Sequence, residues 1–292
     1  MIKETFGVIG RAAAGLVRGW GGLALLHALY AAALVLPYWF FATGVATTGQ
    51  LVVSALTFAL APLLCFVLVA ALAHFAVGET RAPSLARRAL RDFWKMLLVA
   101  LPLVALGVGL VYLLGWLEGK LPVPEIRAVV RPVTTPEAIA VSPLPRALTW
   151  QETLVSTLRM LLFGFMLPLV AAHLWLSVAR DGLKATLRRF HRVAGRAFLP
   201  RPVLVYAVGL FFFGFMPYFI IFTRTPVTAA WGELLLFGLR LALAFVFTLW
   251  GWAITLGALA ALMPPPPTPE DATAAEPTPT TPDAPAEPQL QT

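Results

Sequence analysis

The chain has 292 residues, of which 59% are hydrophobic and 12% charged, with mean hydropathy +0.82 and formal net charge +8. A water-soluble domain carries about 25% charged residues, so this composition excludes a soluble globular fold. The charge is also divided: residues 264–292 carry five acids and no base, which leaves +13 on residues 1–263.

The first element is basic. Lys3, Arg11 and Arg18 lie in residues 1–18, ahead of an apolar run at 19–41. That run is too long for the core of a cleavable signal, and no small-residue cleavage site precedes the next polar stretch, so it is expected to remain as an anchor. A short uncharged turn at 42–50 leads to a second apolar run at 51–77. The pattern then recurs. A basic segment at 79–95 precedes a run at 96–117, a long connection follows at 118–150, and a run at 155–178 returns. A third basic segment at 180–201 precedes runs at 202–223 and 235–262. Each run is long enough to cross a hydrocarbon core of about 30 Å as a helix, and successive runs of this length must be helical to satisfy their backbone groups in lipid.

Orientation follows from the bases. Fifteen of the 22 Lys and Arg fall in the three basic segments, whereas five fall on the opposite side: Lys120, Arg127, Arg131, Arg146 and Arg224. That asymmetry places both termini in the cytoplasm and the protein in the cell membrane. Tryptophans mark the expected interfaces, with Trp20, Trp94 and Trp175 at inner ends and Trp39, Trp116, Trp150 and Trp231 at or near outer ends. Trp250 and Trp252 fall within the sixth span, which suggests a helix that is over-long and tilted or one that projects into the cytoplasm. The connection 118–150, with six prolines, reads as extended chain, and the Pro/Thr/Ala/Glu-rich tail 264–292 as disordered.

Shifting the chain by 101 residues superposes Arg87, Arg88, Arg91 and Lys95 on Arg188, Arg189, Arg192 and Arg196. The expected fold is therefore all-α: a six-span helical integral membrane protein built from three tandem units, 1–77, 78–178 and 179–263. Each unit is one basic interfacial helix followed by two transmembrane helices. Lys184, Arg188, Arg192 and Arg196 step by four along one stripe opposite Leu183, Leu187, Phe190 and Ala194. Arg87, Arg91 and Lys95 oppose Leu85, Ala86, Leu90, Phe93 and Trp94. Helices of this kind lie in the interface, with each base near an anionic leaflet worth about 1 kcal/mol. The nine bases from Arg87 to Lys95 and from Lys184 to Arg196, Arg189 included, are candidate sites for lipid head groups. The competing reading is that they only set topology. Bases flanking apolar spans point to lipid, not nucleic acid.

Arg159 and Arg240 are candidate intramembrane polar sites near the outer ends of the fourth and sixth spans. Glu152 and Glu233 each lie seven residues earlier, about two helical turns, which would let each pair share a face. His27, His74 and His173 fall at similar depth, but no metal-ligand spacing links them and no carboxylate or thiol is expected beside them, so neither a metal nor a cofactor is assigned. The single Cys65 permits no intrachain disulfide. No Asp or Glu occurs in the middle of any span, and nucleophile elbows, Walker loops and paired carboxylates are missing, so no catalytic residue is assigned. Phe163-Gly164-Phe165-Met166 and Phe213-Gly214-Phe215-Met216 are identical tetrads in the fourth and fifth spans. They read as repeated packing or as the wall of a small apolar pocket.

The segments Leu85-Ala86-Arg87-Arg88-Ala89-Leu90-Arg91-Asp92-Phe93-Trp94-Lys95 and Leu187-Arg188-Arg189-Phe190-His191-Arg192, taken with the hydropathy of residues 1–263, carry a resemblance. The chain resembles bacterial polytopic proteins related to the membrane domain of glycerophosphoryl diester phosphodiesterases. The resemblance implies the helical membrane fold. The catalytic barrel of those enzymes has no counterpart, and His191-Arg192-Val193 departs from their His-Arg-Gly site. The expected function is a non-enzymatic accessory, scaffold or lipid-interacting module, with a transporter or channel component as the alternative and a lipid-modifying enzyme last.

Overall fold

The computed structural model describes residues 2–43, 46–120, 150–223 and 230–264, and among these every regular element is helical. Helix α1 is Ile2–Arg18, α2 Trp20–Ala42, α3 Thr48–Ala76, α4 Ala82–Lys120 and α5 Trp150–Asp181. Two short helices follow, α6 Leu183–Arg188 and α7 Phe190–Ala197, then α8 Pro200–Phe222 and α9 Ala230–Leu262. Helices α2, α3, α4, α5, α8 and α9 are the six long and apolar enough to cross a membrane. They correspond to the six apolar runs. The proline-rich stretch 121–149 and the tail from residue 265 lie outside the described residues.

Local chemistry sets the boundaries. Thr47 caps α3 with a reciprocal pair: its hydroxyl accepts from the Gln50 backbone at 3.3 Å, and the Gln50 side chain accepts from the Thr47 backbone at 3.1 Å. Gly78, with φ +114°, turns the chain from α3 toward α4, and Gly182, with φ +84°, ends α5. Gly22 donates its backbone N–H to Thr80 O at 2.8 Å, and a Cβ there would meet that oxygen at 2.7 Å. A larger residue would push α2 off the α3–α4 turn.

The packed core lies toward the end that carries the basic segments. Leu23 and Leu26 of α2, Ala70 to Phe75 of α3, Leu85 to Ala100 of α4 and Leu169 to Val178 of α5 contribute buried positions there. Val205 and Tyr206 of α8 and Leu249 to Leu259 of α9 complete it. Alanine and glycine recur at these contacts because in lipid close backbone approach, not exclusion of water, holds helices together. The opposite ends of the long helices turn apolar side chains outward, among them Leu56, Phe58, Val111, Trp116, Leu235 and Phe237.

The three basic segments take three different forms. The first is the separate helix α1, packed on α9 and tied to α8 by a Glu4–Arg201 ion pair of 2.6 Å. The second is not a separate interfacial helix. Residues 82–95 run without a break into the span, so α4 has 39 residues and is about 58 Å long at 1.5 Å per residue. The third is broken in two at Arg189, whose φ −113° and ψ 17° leave the helical region. Gly195, in the third copy, and Ala82-Pro83 at the start of the second show how differently the two stretches are built. The structure does not show three equivalent units.

Trp250 and Trp252 are half-buried and each meets an aromatic ring of another helix. The Trp250 indole N–H donates to His27 Nε2 at 3.2 Å, and Trp252 stacks on Phe213 with ring centroids 4.4 Å apart. Trp175, expected at an interface, lines the central cavity, and its buried Nε1 has no hydrogen-bond partner among the described residues.

Candidate functional site

Two of the four bases in 87–95, Arg91 and Lys95, pair with an acid of the same stretch, Asp92. Asp92 is buried on the stripe of Leu85, Ala89, Met96 and Val99, facing α3. Its carboxylate receives His74 Nε2 at 3.1 Å, Lys95 Nζ at 2.6 Å and Arg91 Nε at 3.4 Å. Arg88 pairs with Glu79 at 3.2 Å, while Arg87 is exposed and has no ion pair among the described residues. A carboxylate beside His74 corrects the expectation that none would accompany the histidines. Asp92 was legible as the one acid in an apolar stripe spaced three and four apart. Leu85 and Ala89 face the bundle, whereas Leu90 and Trp94 are exposed.

Outside any span, Glu79 is held below the ordinary glutamate range chiefly by the hydroxyl of Ser84, which donates to it at 2.5 Å. Partial desolvation opposes that effect and Arg88 assists it.

The segment 184–196 is built the other way. Thr186 is buried, with its hydroxyl 2.9 Å from that of Ser177, which anchors α6 against α5. Val193 and Ala197 of α7 are likewise buried. These contacts turn the charged side outward, and the break at Arg189 folds it into an elbow. Arg188, Arg189, His191 and Arg192 line a concavity of about 330 Å³ with Ala185. No carboxylate pairs with any of the three arginines among the described residues. Lys184 and Arg196 are exposed outside its lining. The period-four stripe identified the bases, but His191 joins them only through the break, which no turn residue at 189 announces.

Arg159 does not pair with Glu152 as the spacing suggested. Its guanidinium meets Glu118 Oε2 of α4 at 2.9 Å, with both side chains about half exposed, a structural link between two helix ends. Arg240 is half-buried on α9. Neither arginine lines the central cavity or the cleft between α5 and α8.

The histidines do not converge. His27 accepts from Trp250 through Nε2, so Nδ1 carries the ring hydrogen and donates to Leu23 O at 2.8 Å. His74 meets Asp92, and His173 Nδ1 meets Leu169 O at 2.9 Å. Among the described residues no group of three His, Cys, Asp or Glu is placed to hold a metal.

Two apolar cavities are framed by the helices. A central one of about 580 Å³ is reached by Tyr30, Leu72, Gly107, Phe163, Trp175 and Trp252, drawn from five helices. The second, of similar size, lies between α5 and α8. Both identical tetrads belong to π-helical turns, Met160–Met166 in α5 and Phe211–Phe215 in α8, with Met216 just beyond the second. Such turns insert an extra residue into the helix and are frequent at functional sites. Repetition of Phe-Gly-Phe-Met was visible in the sequence, whereas the widened turn was not. No known family, characterised protein or solved structure matches this chain in the comparisons made with it.

Proposed function

We propose that this chain is a non-enzymatic, lipid-interacting accessory module of the cell membrane, with both termini and its basic end in the cytoplasm. The observation that carries the reading is the elbow at Arg188, Arg189, His191 and Arg192, a concave basic surface without counter-charge among the described residues. Three uncompensated guanidiniums offer forked donors suited to phosphate oxygens. At the level of hydropathy and basic helices, the resemblance to the membrane domain of glycerophosphoryl diester phosphodiesterases belongs to the same reading. Transport has less support, because the central cavity is lined by apolar side chains and neither Arg159 nor Arg240 reaches it.

The test compares association of spin-labelled phosphatidylglycerol and phosphatidylcholine with the protein reconstituted in vesicles. The wild type should enrich the anionic lipid, and combined Arg188→Gln, Arg189→Gln and Arg192→Gln should remove most of that preference. Combined Arg87→Gln and Arg88→Gln should change it far less, because Arg88 is already engaged by Glu79. Equal association of the two lipids with the wild type would refute the reading. A C-terminal reporter active only outside the cytoplasm would refute the orientation.

A further inference from the structure

Residues of both tetrads line the cleft between α5 and α8. Gly164 and Gly214, each inside a π-turn, line it together with Met160, Leu161, Phe165 and Phe215. One wall of the cleft is shared: Phe163 of the same α5 turn faces the central cavity. The glycines keep the cleft open. A Cβ at Gly164 would meet only Met160 Cγ at 3.8 Å, and one at Gly214 the flexible tip of Leu210 at 3.0 Å, so larger residues fit by filling the space.

The helices are consecutive spans and run antiparallel, which gives the cleft a direction. At its deep end Phe165 and Leu210 approach the buried Tyr206, whose ring lies 5.2 Å from that of Phe165. At the other end stand Thr157, Tyr218 and Phe219. From Thr157 to Phe165 the cleft extends about 10–12 Å along the helix axis, parallel to the direction in which the spans cross a bilayer. Its two hydroxyl-bearing residues, Thr157 and Tyr218, both sit at the rim; the deeper lining is wholly apolar. Met160, Leu161, Phe215, Tyr218 and Phe219 are exposed, so the cleft opens sideways to whatever surrounds the spans.

We infer that this cleft seats one hydrocarbon chain of a membrane lipid from the leaflet remote from the basic segments, with the polar end of that lipid at Thr157 and Tyr218. An elongated apolar slot aligned with the spans, open to the side and polar only at its outer rim, matches a lipid chain in its normal orientation. A crossing helix from a second copy would need a flat strip of small residues instead. Here aromatic rings flank the two glycines and leave a slot. Because the inference rests on the spans crossing the membrane and not on the arginine elbow, either can fail alone.

The test uses the full chain reconstituted in phosphatidylcholine vesicles with a phosphatidylcholine carrying a photoactivatable diazirine at mid-chain, followed by peptide mapping. Label should concentrate on the segments around Met160 to Phe165 and Leu210 to Phe215, well above the exposed face of α3 near Leu56 and Phe58. Gly164→Leu with Gly214→Leu should lower cleft labelling severalfold and leave α3 labelling unchanged. Leu161→Trp, which fills the slot without touching either π-turn glycine, should do the same. Labelling no higher in the cleft than on α3 would overturn the inference. So would labelling insensitive to all three substitutions, or cross-links joining two copies of the chain at the cleft.

Discussion

His74 Nε2 stands 3.1 Å from Asp92 Oδ2, with both side chains buried where α3 packs against α4. The ring N–H donates to one carboxylate oxygen, and Lys95, 2.6 Å from the other, supplies the balancing charge. The cationic stretch 87–95 is thereby pinned to the bundle by Asp92, the one acid within it.

Asp92→Ala should leave the His74 ring N–H without an acceptor and lower stability by about 1–3 kcal/mol. The thermal midpoint in detergent micelles reads this directly. His74→Leu combined with Asp92→Leu should recover most of the loss, since an apolar pair needs no partners and Lys95 can turn to water. A double variant as unstable as the single one would contradict this account.

Gly209 and Gly251 are where α8 lies closest to α9. A Cβ on Gly209 would overlap the side chain of Thr255, and one on Gly251 would come within 2.9 Å of the Phe213 backbone nitrogen. Gly209→Ala should destabilise by about 1–3 kcal/mol and be partly rescued by Thr255→Ala, because a side chain can be trimmed. Gly251→Ala should cost at least as much and resist rescue, because its obstacle is backbone. Gly238→Ala, where nothing lies within 4 Å, should gain up to about 1 kcal/mol from helix propensity. Equal effects at all three positions would rule out the packing argument.

Glu79 gives a pH dependence with a definite sign. Its folded-state value is depressed by the Ser84 hydroxyl, against partial desolvation and with help from Arg88. The stabilisation is therefore present above the ordinary glutamate range and is lost as pH falls through it toward the depressed folded value. Ser84→Ala should shrink the difference in thermal midpoint between neutral and mildly acidic solution. An unchanged difference would show that the Ser84–Glu79 contact does not set the titration.

Much of the fold was legible. Apolar length alone located all six spans, because a helix in lipid must be apolar over its whole crossing. The third span began far earlier than its apolar run, at Ala82, since a helix does not stop where its side chains become charged. The candidate site was half legible. Period-four spacing found Arg188 and Arg192, whereas the elbow depends on backbone angles at Arg189 that its side chain does not advertise. Likewise, Arg159 has Glu152 in helical register but meets Glu118 across an interface.

By itself the sequence determined what must be satisfied within each segment: six apolar helical spans and the end at which positive charge accumulates. Those properties follow from composition, backbone hydrogen bonding and the cost of desolvating charge, none of which requires a neighbour. Tertiary structure alone decided which bases are neutralised and which stand free, and that two identical tetrads face a common cleft. These depend on contacts between residues far apart in the chain, such as His74 with Asp92 and Phe165 with Tyr206, and on helix irregularities that packing selects.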